Sequence, residues 1–252
     1  MRTSVFGVAA LAAASLSLQA FAADFPAYVA AAVANPARPA EDLARDPDRK
    51  PLAVLTFAKV KPGDKVGEFI PGGGYYTRLL AAVVGPSGHV YALWPAGMLK
   101  TPPPMVAADA AVAPNVSAAG YGGAIDVPEK LDVVWTSENY HDFHNVFRGA
   151  PAGTPPPDMA AFNRAVFEAL KPGGTYLIED HAAAAGAGTS TTSTLHRIDP
   201  AAVKSEVEAA GFVLVGESDV LKNPADPHTL AIFDPAIKGH TDKLLFRFKK
   251  PG

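Results

Sequence analysis

Residues 66–80 read VGEFIPGGGYYTRLL. A short apolar run, Val66 to Ile70, meets Pro71 and three consecutive glycines, Gly72, Gly73 and Gly74, and a helical pattern begins at Tyr75. Glycines in that place permit positive φ and let a ligand come up to the backbone with no Cβ in the way. The helix that follows offers unpaired N–H groups to a negative or polar group. A plain tight connection between strand and helix would use the same residues, so the turn alone marks a place and names no ligand.

Outward from this turn, short apolar runs alternate with amphipathic ones. The runs that predict strands are KVGEFI (65–70), GHVYAL (88–93), NVSAAG (115–120), LDVVWTS (131–137), GTYLIED (174–180), FVLVGES (212–218) and KLLFRFK (243–249). Helical patterns fall between them at GYYTRLLAAVV, PDMAAFNRAVFEALKPGG and DPAAVKSEVEAAGF. Asp158 and Asp199 stand where N-caps belong, Pro200 takes a first helical position, and the glycines of KPGG and AAGF close the ends. This alternation predicts an α/β fold, a Rossmann-like doubly wound sheet that is mostly parallel, because parallel strands need crossover connections. No clear helix joins the last two strands, which predicts an antiparallel final strand. In open sheets of this kind the ligand sits beyond the carboxyl ends of the strands.

Ahead of the turn, residues 23–60 read as a helical cap, in pieces broken at Asn35-Pro36, Asp46-Pro47 and Pro51. The chain opens MRTSVFGVAALAAASLSLQAFAADF. Arg2, the mostly apolar Val5 to Leu18 and the small-x-small Ala20-Phe21-Ala22 predict an export signal over residues 1–22, cleaved before Ala23. Residues 61–252 then form the main domain of a periplasmic or secreted protein. The apolar run is shorter than the ~20 residues a bilayer span needs, so no stable membrane insertion is expected once the signal is removed. A cysteine count of 0 excludes disulfides and thiolate metal sites. With a net charge of -3 and scattered Lys and Arg, the chain lacks the basic stripe of a nucleic-acid surface, which leaves a small molecule as the expected partner.

Taken in order, VGEFIPGGGYYTRLLAAVVGPSGHVYAL, LDVVWTSENYHDF, FNRAVFEALKPGGTYLIEDH and AVKSEVEAAGFVLVGES resemble the class I S-adenosylmethionine-dependent methyltransferases. The resemblance runs from about Val60 to the C-terminus and implies a seven-stranded sheet with the last strand antiparallel. It implies S-adenosylmethionine as cofactor, with Glu68, Pro71, Gly72, Gly73 and Gly74 around its methionine portion; Tyr76, at the helix start, is a further candidate. Glu138, Asn139 and Tyr140, after the fourth expected strand, would face the methyl group and the substrate. Three positions depart from the family pattern. Ile70 stands where its first glycine usually lies. Leu93 and Trp94 replace the acid expected on the ribose hydroxyls, a loss of charge-assisted hydrogen bonds. Tyr121 occupies the region where an acid often meets the adenine. Trp94 and Tyr121 can replace the lost contacts by stacking on the base, or serve as plain core or rim aromatics.

Histidine forms a second constellation, with six of seven near the expected ligand edge and only His89 opposite. His141 and His144 of ENYHDFHN suit general-base or substrate roles. His181, His196 and Arg197 are candidate substrate contacts, Arg197 through its planar fork or else in a salt bridge to Asp199 or a neighbouring acid. His141, Asp142, His144, Asp180 and His181 have the chemistry of zinc ligands, but a spacing of three in a loop lacks the specificity of a helical H-E-x-x-H, so a metal ranks behind the other roles. The expectation is a methyltransferase acting on a small molecule. The alternative is an exported protein that kept the fold, lost the cofactor and became a binding protein or a metal-assisted enzyme.

Overall fold

The computed structural model describes residues 25–100, 112–146 and 153–252, so the expected export signal lies outside the described residues. Strands β1 (Lys65–Phe69), β2 (His89–Pro95), β3 (Val116–Tyr121), β4 (Ile125–Asp126), β5 (Leu131–Ser137), β6 (Leu170–His181), β7 (Val213–Glu217) and β8 (Lys243–Lys249) make one sheet, in the order β4-β3-β2-β1-β5-β6-β8-β7. The pairs from β3 through β6 are parallel, while β8 runs antiparallel to both β6 and β7. All seven expected strands form. The eighth, β4, is two residues long and turns back on β3 through Gly122 and Gly123, a pairing too short to leave a periodic signal.

Strand side chains alternate between two packed faces, as a pleat requires. Val134, Tyr176, Ile178 and Phe246 enter the core on one side; their neighbours Val133, Trp135, Leu177 and Leu245 enter the core on the other. A sheet buried on both faces needs helices on both, and the apolar runs of its strands follow from that. Helices α1 (Ala27–Val33), α4 (Pro51–Ala58) and α5 (Tyr75–Val84) cover one side, and α7 (Met159–Ala169) and α8 (Pro200–Ala209) the other. Asp158 accepts a bond from Ala161 N at 3.0 Å and Asp199 from Ala201 N at 2.9 Å, so both expected caps are made. The short helices α2 (Ala40–Leu43), α3 (Asp46–Arg49) and α6 (Ala96–Leu99) complete the set among the described residues.

The N-terminal helices are fastened to the glycine turn by charge. Arg78 of α5 donates to both oxygens of Asp42, at 2.6 and 2.8 Å, and Asp46 accepts from Arg38 and from the Tyr75 hydroxyl. Strand order reverses between β1 and β5, where the flanking connections leave on opposite faces and open a crevice. Arg45 and Arg49, from this N-terminal segment, line that crevice on one side.

Candidate functional site

The crevice beyond β1 and β5 is a cleft of about 260 Å³ whose lining includes Glu68, Gly72, Gly73, Glu138, Asn139 and Arg49. Its backbone is unusual on both walls. Ile70 has φ 43° and Glu138 φ 58°, a left-handed conformation costly for any side chain and most of all for a β-branched one. Ile70 N still donates to Leu93 O at 2.9 Å and Glu138 N to Glu179 O at 2.9 Å, so the ladders on either side hold both residues in place. The turn thus keeps a glycine-like path where the sequence has isoleucine. Gly72 is itself at φ 61°, and a Cβ placed on Gly72 or Gly73 would meet nothing within 4 Å, so their backbone faces open space. Gly74, at φ 77°, is the N-cap of α5.

Glu138 carries the electrostatics of the cleft. One oxygen accepts from Arg49 of α3 and the other from Lys243 at the start of β8, at 2.5 Å. Burial would raise its carboxyl, but Lys243 and Arg49 overcome that and hold it well below the usual carboxylate range. Arg49 also lies over the Tyr75 and Tyr76 rings, at 4.8 and 5.5 Å. Arg49 and Lys243 were not among the residues expected from sequence, and neither lies in a motif. Asn139 donates to Phe69 O at 2.8 Å, while its own Oδ1 is buried with no hydrogen-bond partner.

A second cleft, about 350 Å³, shares Arg45, Arg49 and Glu138 with the first and adds His181, Phe233 and Lys243. His181 is buried, which drives its imidazole down to about 4 against the pull of Glu138 and Asp180, and its Nδ1 is 2.7 Å from Thr241 Oγ1. A third cleft of about 430 Å³ lies beyond β2 and β3 and is lined chiefly by Pro95, Tyr121, Gly122, Phe143 and Phe162.

The expected site residues separate into groups. Glu68, Pro71, Gly72, Gly73, Tyr76, Glu138 and Asn139 line the first cleft, His181 the second and Tyr121 the third. Trp94 lies beneath them, 2% exposed and packed with Ile70, Met98 and Leu99, so it is core and offers no face to a base. Tyr140 and His144 line none of these three clefts. Both reach Glu206 on α8, at 3.0 and 2.9 Å, and Tyr140 also accepts from Asn163. Arg197 is fully buried, bonded to Leu230 O, Ala182 O and Asp226, so its fork holds the connector after β7 and not a substrate; the partner acid is Asp226, while Asp199 is used as a cap. His141 is buried against Asp180, at 2.7 Å, and touches the half-exposed His196. Burial lowers the His141 imidazole, but Asp180 and Asp142 outweigh it and push it up to about 10.

No family model matches the chain and no curated protein matches it in sequence. Solved structures do match its fold. An S-adenosylmethionine-dependent methyltransferase from Aquifex aeolicus is similar with a TM-score of 0.53 at 16% identity, over 84% of this chain and 98% of that one. One from Mesorhizobium loti gives 0.54 at 14% identity, over 81% and 99%. SpnF, a 4+2 cyclase, gives 0.53 at 15% identity, over 84% and 81%. The fold is therefore of the methyltransferase type.

Proposed function

We propose that the protein binds S-adenosylmethionine in the first cleft and transfers its methyl group to a small molecule held in the second. The observation that carries this reading is the open glycine backbone at Gly72 and Gly73 facing Glu68, Asn139 and Arg49 across the cleft where the sheet order reverses. The donors present fit the methionine end of the cofactor. Glu68 and the buried Asn139 Oδ1 suit an ammonium group, and Arg49 and Arg45 suit a carboxylate. The third cleft, with Tyr121, Phe143 and Phe162, suits an aromatic base. Bound, the cofactor supplies an electrophilic methyl group on a sulfonium.

The chain's own part is alignment and charge. Glu138, kept ionised by Lys243 and Arg49, holds those two cations in fixed places along the wall shared by the first and second clefts. Asn139, tied to Phe69 O, fixes the path from β5 across the cleft, and rate comes mainly from holding the reacting groups in line. His181 is neutral at pH 7 and engaged at Nδ1 by Thr241, so Nε2 is the ring atom left to take an acceptor's proton.

Calorimetry of the purified protein with S-adenosylmethionine and S-adenosylhomocysteine tests the reading: saturable binding of both, lost in Gly72→Val, is expected. No binding of either would favour the second reading, a methyltransferase-type fold that has lost the cofactor. Leu93 and Trp94, buried where a ribose acid would stand, favour that reading, and the fold serves other chemistry in SpnF. Export from the cytosol belongs to the same proposal, supported by the Ala20-Phe21-Ala22 site. N-terminal sequencing of protein from its native host should find Ala23 first, and an intact Met1 would refute it.

A further inference from the structure

Three donor atoms converge just after β5, apart from the contacts that the cofactor reading uses. His141 Nε2 lies 3.3 Å from Asp142 Oδ1 and 3.3 Å from His196 Nδ1, and His196 Nδ1 lies 3.2 Å from Asp142 Oδ1. The triangle is nearly equilateral. Three ligands held ~2.0–2.1 Å from one tetrahedral ion stand about 3.3–3.4 Å from each other, so the spacing is that of three corners around a common centre.

The surroundings are those of a ligand set. His141 Nδ1 is 2.7 Å from Asp180 Oδ1, and the two Asp180 oxygens also accept from the backbone N of His141 and of His181. Asp180 is fully buried, so His141 is aimed by a carboxylate that cannot swing. A ring that donates from Nδ1 presents the Nε2 lone pair, the arrangement found behind metal-bound histidines. In that tautomer Nε2 faces a carboxylate oxygen and a second ring nitrogen, and three such acceptors meet comfortably only around a positive centre, a proton or a metal ion. His196 is held to the triangle by a left-handed backbone, φ 55°, and by edge-on packing against Phe233 at 4.9 Å. The His141 side chain is 1% exposed, but those of Asp142 and His196 are 38% and 31% exposed, which leaves the fourth side open. Asp142 also lines the first cleft.

We propose that His141, Asp142 and His196 form a site for one divalent transition ion, with two imidazoles and one carboxylate as ligands and a fourth position open to water or a substrate oxygen. Zinc suits this donor set and spacing best. The site differs from the cluster the sequence suggests, because His144 is spent on Glu206 and His181 on Thr241, while His196 arrives from 55 residues away. It stands independently of S-adenosylmethionine binding.

The test uses the metal alone. Purified protein is stripped with chelator, dialysed and titrated with zinc chloride by calorimetry, and a second sample takes cobalt(II) for its visible spectrum. One ion per chain is expected, bound at least about tenfold more weakly by His196→Ala and unchanged in His89→Ala, with the intense visible bands of tetrahedral cobalt. Equal zinc affinity in His196→Ala, or no binding by the wild type, overturns the proposal, the second result meaning that a proton fills the centre instead. If His196→Ala fails to fold, Asp142→Asn, altered at a partly exposed side chain, must show the same loss.

Discussion

Beside the glycine turn the cleft is walled by charge, with Arg49, Glu68 and Glu138 around it, whereas beyond β2 and β3 the wall is a set of rings. Phe143 stacks on Phe162 at 4.3 Å, and Phe69 meets Tyr121, Phe143 and Phe162 at 4.9, 5.4 and 5.0 Å. Both regions lie on the same sheet edge, and both differ from what the sequence resemblance led one to expect, but in opposite ways. On the charged side Ile70 stands where the resemblance expects a glycine, and its backbone has a glycine's conformation; on the aromatic side Leu93 and Trp94 stand where it expects an acid, and they are packed as core. The first difference leaves the backbone path unchanged, and the second changes the chemistry of the wall.

The largest expected effect falls on the aromatic side. Phe143 is 1% exposed and joins the 3-10 turn His141–His144 to α7, so Phe143→Ala should cost about 3–5 kcal/mol in urea denaturation. A loss under about 1 kcal/mol would mean that this wall is a ligand platform and not core. The charged side breaks differently. Arg49→Leu leaves the part-buried Glu138 with Lys243 alone and should cost about 2–3 kcal/mol, at or below the low end for a broken buried pair because Glu138 is partly exposed and one partner remains. It should also flatten the acid limb of stability. Glu138 has a depressed folded pKa, so its contribution is complete above the unfolded value of about 4.3 and is lost as pH falls toward the folded one. Stability measured between pH 6 and pH 3 should fall less steeply in Arg49→Leu than in the wild type, and an equally steep fall would remove Glu138 from the account.

The sheet was legible because each of its seven main strands is a short apolar run between turn residues, and because Asp158 and Asp199 mark helix starts locally. That Glu68, Pro71, Gly72 and Gly73 line one crevice was legible for the same reason: strand, turn and helix are contiguous. Arg49 and Lys243 were not, since they meet Glu138 across 89 and 105 positions and only the fold brings them together. The ENYHDFHN loop shows the limit most plainly. Its spacing says nothing of the carboxylates that wait on β6 and α8, and those partners send His141 to Asp180 and His144 with Tyr140 to Glu206. Arg197 was left between two roles for a related reason, because a guanidinium that closes a buried connector looks in sequence like one that greets a substrate.

The charged cleft can also be tested without disturbing its charges. Gly72 sits at φ 61° with open space where a Cβ would go, so the Cβ of Gly72→Val meets no protein atom and the substitution acts through the ligand and through local strain. Affinity for S-adenosylmethionine should fall at least tenfold, about 1.4 kcal/mol, while the urea transition keeps its slope. Binding unchanged by this substitution would move the ligand away from the turn and erase the contrast between the two clefts.

The smallest effect asks whether the turn's backbone, rather than the Ile70 side chain, is what is kept. In ordinary conformations alanine is favoured over glycine by roughly 0.5–1 kcal/mol, through the entropy of the unfolded chain. At φ 43° the order should reverse, because alanine retains the Cβ clash of the left-handed region, about 1–2 kcal/mol, and glycine does not. Both substitutions remove the same packing against the cluster of Ala92 and Trp94, so the packing loss largely cancels between them. Ile70→Gly should therefore be more stable than Ile70→Ala by about 1 kcal/mol, read from urea midpoints at equal slope. If the alanine variant proves the more stable, the residue does not hold the left-handed conformation in solution, and the glycine-like path of the turn goes with it.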